Sequence, residues 1–127
     1  PSSPRPDRAS AVMTGCEWVI EARGCRPECL ASQSTLEELF RRLVEGMHLN
    51  PVAEAVWYQF PGPGGLTGML LLSESHLACH TFPEHRSICL NVFCCRPRPE
   101  YDFKTVLREH LGAADITVRR LEREYGA

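Results

Sequence analysis

The sequence predicts an α+β fold, a two-layer sandwich in which a largely antiparallel sheet carries two helices on one face. Three observations predict it. The apolar periodicity switches between two and about 3.6 residues in the order β-α-β-β-β-β-α-β, an order that packs helices on one side of a sheet. Both helical segments are amphipathic, so each has a face to bury. At 127 residues, 43% hydrophobic and 24% charged, the chain suits one globular domain, which buries about two thirds of its unfolded surface without disulfide staples.

Each element has its own warrant. Residues 17–22 read as a first strand ending at Gly24. Gln33–Met47 reads as a helix, with Leu36, Leu39, Phe40, Leu43, Val44 and Met47 at i, i+3, i+4 spacing. Ser34 and Glu37 form a capping-box pattern at its start, and Asn50-Pro51 closes the segment. Residues 53–60 are aromatic and β-branched enough for a strand, and Pro61-Gly62-Pro63-Gly64-Gly65 then forces a loop. A second apolar strand follows at 67–72, and 76–81 is extended until Pro83. Residues 87–94 alternate, with Ile88, Leu90 and Val92 on one face and Cys89, Asn91 and Phe93 on the other. Continuing that pleat puts Cys95 on the Asn91 face. Arg96-Pro97-Arg98-Pro99 ends the strand, since proline lacks the ladder donor. Asp102 is the expected N-cap of a helix that turns Phe103, Val106, Leu107, His110 and Leu111 inward and stops at Gly112. Residues 116–122 supply the last strand.

Composition removes several function classes. A net charge of −2 and a pI near 6.2 give no electrostatic reason to expect nucleic acid or an anionic membrane as partner. The sequence has no apolar run of about 18 residues, so a transmembrane helix is not expected. Residues 1–15 are read as a flexible extension, since 1–12 are rich in Pro, Ser and Arg and lack the apolar core of a signal peptide. Residues 16–127 are read as the single domain. Seven cysteines, an odd number without a secretory signal, point to reduced thiols in a cytoplasmic protein. Cys25 and Cys29 could join His76 and His80 in a zinc site, but the knuckle spacing is loose, and no metal is expected. The single lysine, Lys104, falls in the second helix, which makes a lysine-bound pyridoxal phosphate a poor competitor for any carbanion chemistry.

Chemistry concentrates in residues 72–84, where a Glu74-Ser75 bond, His76, His80 and a Pro83-Glu84 pair fall within thirteen positions. This segment resembles the self-cleavage region of the prokaryotic S-adenosylmethionine decarboxylases, in which Glu-Ser-His followed by His-Thr-aromatic-Pro-Glu marks a serine that becomes a pyruvoyl group. The resemblance extends over roughly residues 17–120. Val19-Ile20-Glu21-Ala22-Arg23-Gly24-Cys25 looks like the family's first strand, and Thr67-Gly68 matches ahead of the next apolar strand.

What the resemblance implies can be stated residue by residue. Ser75 attacks the carbonyl of Glu74, and elimination of the resulting ester divides the chain into a β chain of 1–74 and an α chain of 75–127. The latter is capped by the pyruvoyl cofactor. His80, assisted by Thr67, matches the family's processing pair. The pyruvoyl group would form a Schiff base with the substrate amine and accept the electrons released with carbon dioxide. Cys95, twenty positions after the cleavage serine, matches the acid that protonates the product carbanion. Its neighbour Cys94 is the competing thiol, and the pleat lets only one of the two reach the site. Phe82 and Phe60 are candidate stacking partners for substrate, and Glu84 matches the residue that holds the ribose hydroxyls. Asn91 is a further substrate-binding candidate. The family carries Trp at the position of Phe82, Asp at Asn91, Thr at Cys94 and Gly at Arg96, so the processing residues are kept while the pocket has changed. The expected substrate is S-adenosylmethionine, in spermidine synthesis. Ornithine or arginine is the alternative substrate, and a non-catalytic relative that regulates a true decarboxylase is the alternative role. A homodimer of processed protomers, with sheets or loops of two chains completing each site, is the expected assembly.

Overall fold

A computed structural model describes residues 12–126. Six strands form one antiparallel sheet: β1 (Met13–Arg23), β2 (Val56–Gln59), β3 (Leu66–Leu71), β4 (Ser75–Phe82), β5 (Ser87–Cys94) and β6 (Asp115–Gly126), in the spatial order β2-β3-β4-β5-β1-β6. Three helices, α1 (Pro27–Leu30), α2 (Gln33–Met47) and α3 (Phe103–Leu111), share one buried core with the sheet. Among the described residues no helix is long and apolar enough to cross a membrane.

Strict alternation divides the sheet into two unlike faces. On the helix side lie Trp18, Ile20 and Ala22 of β1, Leu77 and Cys79 of β4, and Ile88, Leu90, Val92 and Cys94 of β5, all buried. They pack against Leu36, Leu39, Phe40 and Leu43 of α2 and Phe103, Val106, Leu107 and Leu111 of α3. Trp18 meets the Phe103 ring at 5.7 Å between centroids. Thr81 is the buried polar exception: its hydroxyl donates to the Leu30 carbonyl at 2.7 Å and accepts from the Leu66 N–H at 2.9 Å, tying α1 to the sheet. The other face presents Val56, Tyr58, Phe60, Met69, Leu71 and Leu121 to solvent.

The structure amends the expected boundaries in several places. Residues 1–11 of the expected extension lie outside the described residues, but Met13, Thr14 and Gly15 belong to β1 and pair with the end of β6. β6 likewise runs past residue 122, because the two long edges zip together. β2 is shorter than 53–60, with only Val56–Gln59 paired to β3. The short α1 was not expected; Pro27 opens it, with its missing N–H costing nothing at a helix start. The N-cap of α2 is Ser32, whose hydroxyl accepts from the Thr35 N–H at 3.2 Å, so Ser34 falls in the first turn and Glu37 accepts from Gln33. Asp102 does cap α3, accepting from the Thr105 N–H at 3.1 Å, and Gly112 stops it in a left-handed conformation.

Gly68 illustrates how closely the edge of the sheet is packed. It lies opposite Trp57 in the β2–β3 register, and a Cβ there would fall 2.1 Å from the indole ring. Gly68→Ala must push that ring off Phe40, which it meets at 4.9 Å. The expected loss is about 1–3 kcal/mol, read as a lowered midpoint in thermal or urea unfolding; an unchanged midpoint would contradict this packing.

Candidate active site

The candidate residues fall into two clusters at opposite ends of β4, both reaching the uncovered face. Ser75 is the first residue of the strand and His80 lies five positions further along it. An extended chain rises about 3.3 Å per residue, so the two are separated by about 16 Å.

The first cluster surrounds the Glu74-Ser75 bond. Ser75 has a φ of +157°, a value that L residues rarely adopt. Neighbouring side chains on a strand point to opposite faces, yet the Ser75 hydroxyl lies 3.1 Å from Nδ1 of His76. The Cys95 N–H donates to the Glu74 carbonyl at 2.9 Å, which pins the segment after β5 to the peptide ahead of Ser75. Cys95 is exposed and Cys94 fully buried on the helix side, where burial pushes its thiol up to about 11. The pleat thus separates the two thiols as expected, although β5 stops at Cys94. Beside the bond opens a cavity of about 530 Å³ lined by Ser73, Glu74, Cys95, Arg96, Pro97 and Arg98.

Glu74 itself is clamped. Its side chain, 9% exposed, accepts from Arg98 Nη2 at 2.7 Å, from the Asn50 side chain at 2.5 Å and from the Asn50 N–H at 3.2 Å. Arg98 also donates to the carbonyls of Met47 and His48 at the C-terminus of α2, where the helix leaves acceptors unpaired. Burial raises the Glu74 carboxyl, but the Asn50 hydrogen bonds and the Arg98 charge outweigh it and hold the group below its ordinary value.

The second cluster surrounds His80. Its Nδ1 lies 2.7 Å from the Thr67 hydroxyl, across the β3–β4 pair in which these two residues face each other. Its ring meets Phe82 at 4.5 Å and Phe60 at 5.3 Å between centroids. Glu84 is exposed in the short 3₁₀ turn Pro83–His85 that follows. Asn91 sits midway, opposite Ala78 in the β4–β5 register, with its amide nitrogen 3.1 Å from Glu17 and 3.4 Å from Nε2 of His76. A shallow cavity of about 370 Å³ crosses the same face, touching Thr67, His80, Asn91 and Glu17.

Sequence reasoning therefore paired Thr67 with His80 and Ser75 with Cys95, but treated all four as one site. Within one chain they form two separate clusters. It also missed the Arg98–Glu74–Asn50 clamp, since contacts 24 positions apart leave no periodic trace. Among the described residues no group of three or more His, Cys, Asp or Glu is placed to hold a metal ion, which leaves the zinc alternative without a ligand cluster.

The depressed Glu74 carboxyl has a definite sign in stability. Its contribution is fully present above its ordinary value of 4.5 and is lost as pH falls through the lower folded value. In an uncut Ser75→Ala background, Glu74→Gln is expected to flatten the part of the stability–pH curve below about pH 4.5; an unchanged acid limb would show that the clamp contributes nothing.

Known proteins supply the context for this geometry. The family model described as S-adenosylmethionine decarboxylase matches residues 16–124. The S-adenosylmethionine decarboxylase proenzyme of Thermococcus gammatolerans is 31% identical over 86 residues, 68% of this chain and 59% of that protein. The proenzyme of Hydrogenobaculum sp. is 32% identical over 85 residues, 67% of this chain and 62% of its own length. That of Picrophilus torridus is 27% identical over 114 residues, covering 88% and 85%. The match thus spans about three fifths of the first two relatives. The crystal structure of the adenosylmethionine decarboxylase from Aquifex aeolicus superposes with a TM-score of 0.75 at 24% identity, over 92% of this chain and 96% of that one, and shows the same fold. On the family match and the shared identity, this chain belongs to the S-adenosylmethionine decarboxylase family.

Proposed function

We propose that this chain is a self-cleaving decarboxylase that cuts itself at Glu74-Ser75 and acts on S-adenosylmethionine, a step of spermidine synthesis in the cytoplasm. The observation that carries the reading is the pair of half-sites: a clamped Glu74-Ser75 bond beside Cys95, and a Thr67–His80 pair flanked by two aromatic rings. That the relatives are named proenzymes supports the self-processing part.

The cut is an intramolecular rearrangement followed by elimination. The Ser75 hydroxyl attacks the Glu74 carbonyl carbon, the C–N bond breaks, and the hydroxyl proton ends on the freed serine nitrogen. A base then removes the Ser75 α-proton, the Oγ–Cβ bond breaks, and Glu74 departs with a free carboxylate. The dehydroalanine left behind tautomerises to an imine as its Cβ takes up a proton, and water then hydrolyses the imine, releasing ammonia and leaving the pyruvoyl group. The residues fit that group, since residue 75 opens a strand next to a cavity, with an exposed thiol on the segment that follows β5. Once formed, it supplies an electron sink for decarboxylation. Cys95 provides the proton at the substrate α-carbon from its Sγ. Phe82 and Phe60 stack on the substrate's flat or cationic parts, and Glu84 accepts from its hydroxyls. Asn91 borders the same face.

His80 cannot act on Ser75 of its own chain across about 16 Å, so the reading requires a second copy. The two half-sites lie at opposite ends of one strand. A twofold axis through the middle of the uncovered face brings the His80 end of one protomer over the Ser75 end of its partner, twice. The exposed Val56, Tyr58, Met69, Leu71 and Leu121 give that face the apolar area such an interface needs.

Intact-mass spectrometry under denaturing conditions tests the cut. Two fragments are expected, the smaller blocked by pyruvate, and Ser75→Ala should remain whole. A wild-type chain left whole would favour a non-catalytic relative. Purified Ser75→Ala and His80→Ala chains should each stay intact alone, whereas mixing them should cut the His80→Ala chain, because the partner supplies its histidine. No cutting in a mixture that sediments as a dimer would refute the shared site. In processed enzyme, Cys95→Ala should lower carbon dioxide release about a hundredfold or more while Cys94→Ala spares it; the reverse result would reassign the thiol.

A further inference from the structure

We propose that His76 serves the cut at Ser75 as a hydrogen-bond donor and not as a base, held in its Nδ1–H tautomer by the Glu17–Asn91 pair. This role, which deepens the self-cleavage reading and rests on it, follows from a chain of contacts that runs from Glu17 through Asn91 and His76 to the Ser75 hydroxyl.

Glu17 fixes the direction of the chain. One of its oxygens is bridged by Arg123, and the other lies 3.1 Å from the Asn91 side-chain nitrogen. A carboxylate only accepts, so the atom of Asn91 that faces it is the amide NH₂ and not the carbonyl oxygen. That NH₂ has two protons. One goes to Glu17, and the other points along the 3.4 Å approach to Nε2 of His76. Nε2 is therefore an acceptor, and in the neutral ring the remaining proton sits on Nδ1. The atom facing that proton is the Ser75 Oγ, 3.1 Å away.

The contact has consequences for both steps of the cut. The Nδ1–H bond selects one rotamer of Ser75 at the point where its φ of +157° departs from a regular strand. When the ester breaks, negative charge collects on the same oxygen, now part of the departing Glu74 carboxylate, and a fixed N–H aimed at it stabilises that charge. The proton taken from Cα goes elsewhere, since Nδ1 has no lone pair to receive it. The ring lies beside Phe93, 5.8 Å between centroids, and the Arg123 guanidinium lies over the same Phe93 ring at 5.4 Å. The ring that donates and the arginine that bridges Glu17 thus share one aromatic support.

Two substitutions separate a donor from a base. In His76→Asn the amide NH₂ takes the position of Nδ1–H and cannot serve as a base at neutral pH. His76→Ala supplies neither function. Cleavage followed by mass spectrometry during cell-free synthesis should slow about a hundredfold in His76→Ala, the usual cost of one lost donor, and stay within about tenfold of wild type in His76→Asn. Equal loss in both variants, with circular dichroism showing both folded, would overturn the donor role. The tautomer is read directly from ¹⁵N-histidine spectra of uncut Ser75→Ala, in which Asn91 and Glu17 remain. A protonated Nδ1 and bare Nε2 are expected, inverting in the further variant Asn91→Asp; a protonated Nε2 before that change would sink the proposal. If the wild-type chain proves uncut, the self-cleavage reading fails while the spectrum still decides the tautomer.

Discussion

The rise and pleat of an extended strand govern this molecule more than any single contact. A period of two residues gives β4 one apolar side for the helices and one side that carries His76, Ala78, His80 and Phe82. The fixed rise then spaces Ser75 and His80 too far apart to meet. The candidate site residues are arranged along that ruler: the clamped carboxylate and exposed thiol at one end, the aromatic-flanked histidine at the other, and Asn91 between them.

Rigid placement of the ruler depends on the opposite face. Trp18, Ile20, Leu77, Leu90 and Val92 are buried between sheet and helices, each contributing about 1.5–3 kcal/mol of transfer energy. The Arg98 fork joins three structures at once: the carboxylate ahead of Ser75, the open carbonyls at the end of α2, and the segment that follows Cys95. A displacement of α2 would therefore be felt at the Glu74-Ser75 peptide. Arginine suits this role because its planar guanidinium can satisfy a carboxylate and two carbonyls together.

Much of this was legible in the sequence, for physical reasons that differ from element to element. The two amphipathic helices and the alternation of residues 87–94 were readable because burial on one side imposes a period on the chain itself. Thr67 and His80 could be paired only through resemblance to a family, since their contact crosses between strands. The separation of Cys94 from Cys95 followed from the pleat alone. What could not be read was set by distant partners: Asn50 on Glu74, Glu17 on Asn91, and the extra length of β1 and β6, which holds because each edge completes the other. Ser34 misled because two serines stand within reach of the same helix start, and only Ser32 has the extended backbone of a cap.

The strand order carries a further consequence for a chain divided at Glu74-Ser75. The upstream piece owns β1, β2 and β3, and the downstream piece owns β4, β5 and β6, but the spatial order is β2-β3-β4-β5-β1-β6. β1 is therefore flanked on both sides by strands of the other piece. The two polypeptides would be interwoven, and neither could leave without tearing hydrogen-bond ladders on both edges of β1. Such a divided molecule would behave as one cooperative body while folded. Once unfolded, it would have to reassemble from two separate chains, so a first-order folding reaction becomes second-order and the cut makes the native state far easier to keep than to regain.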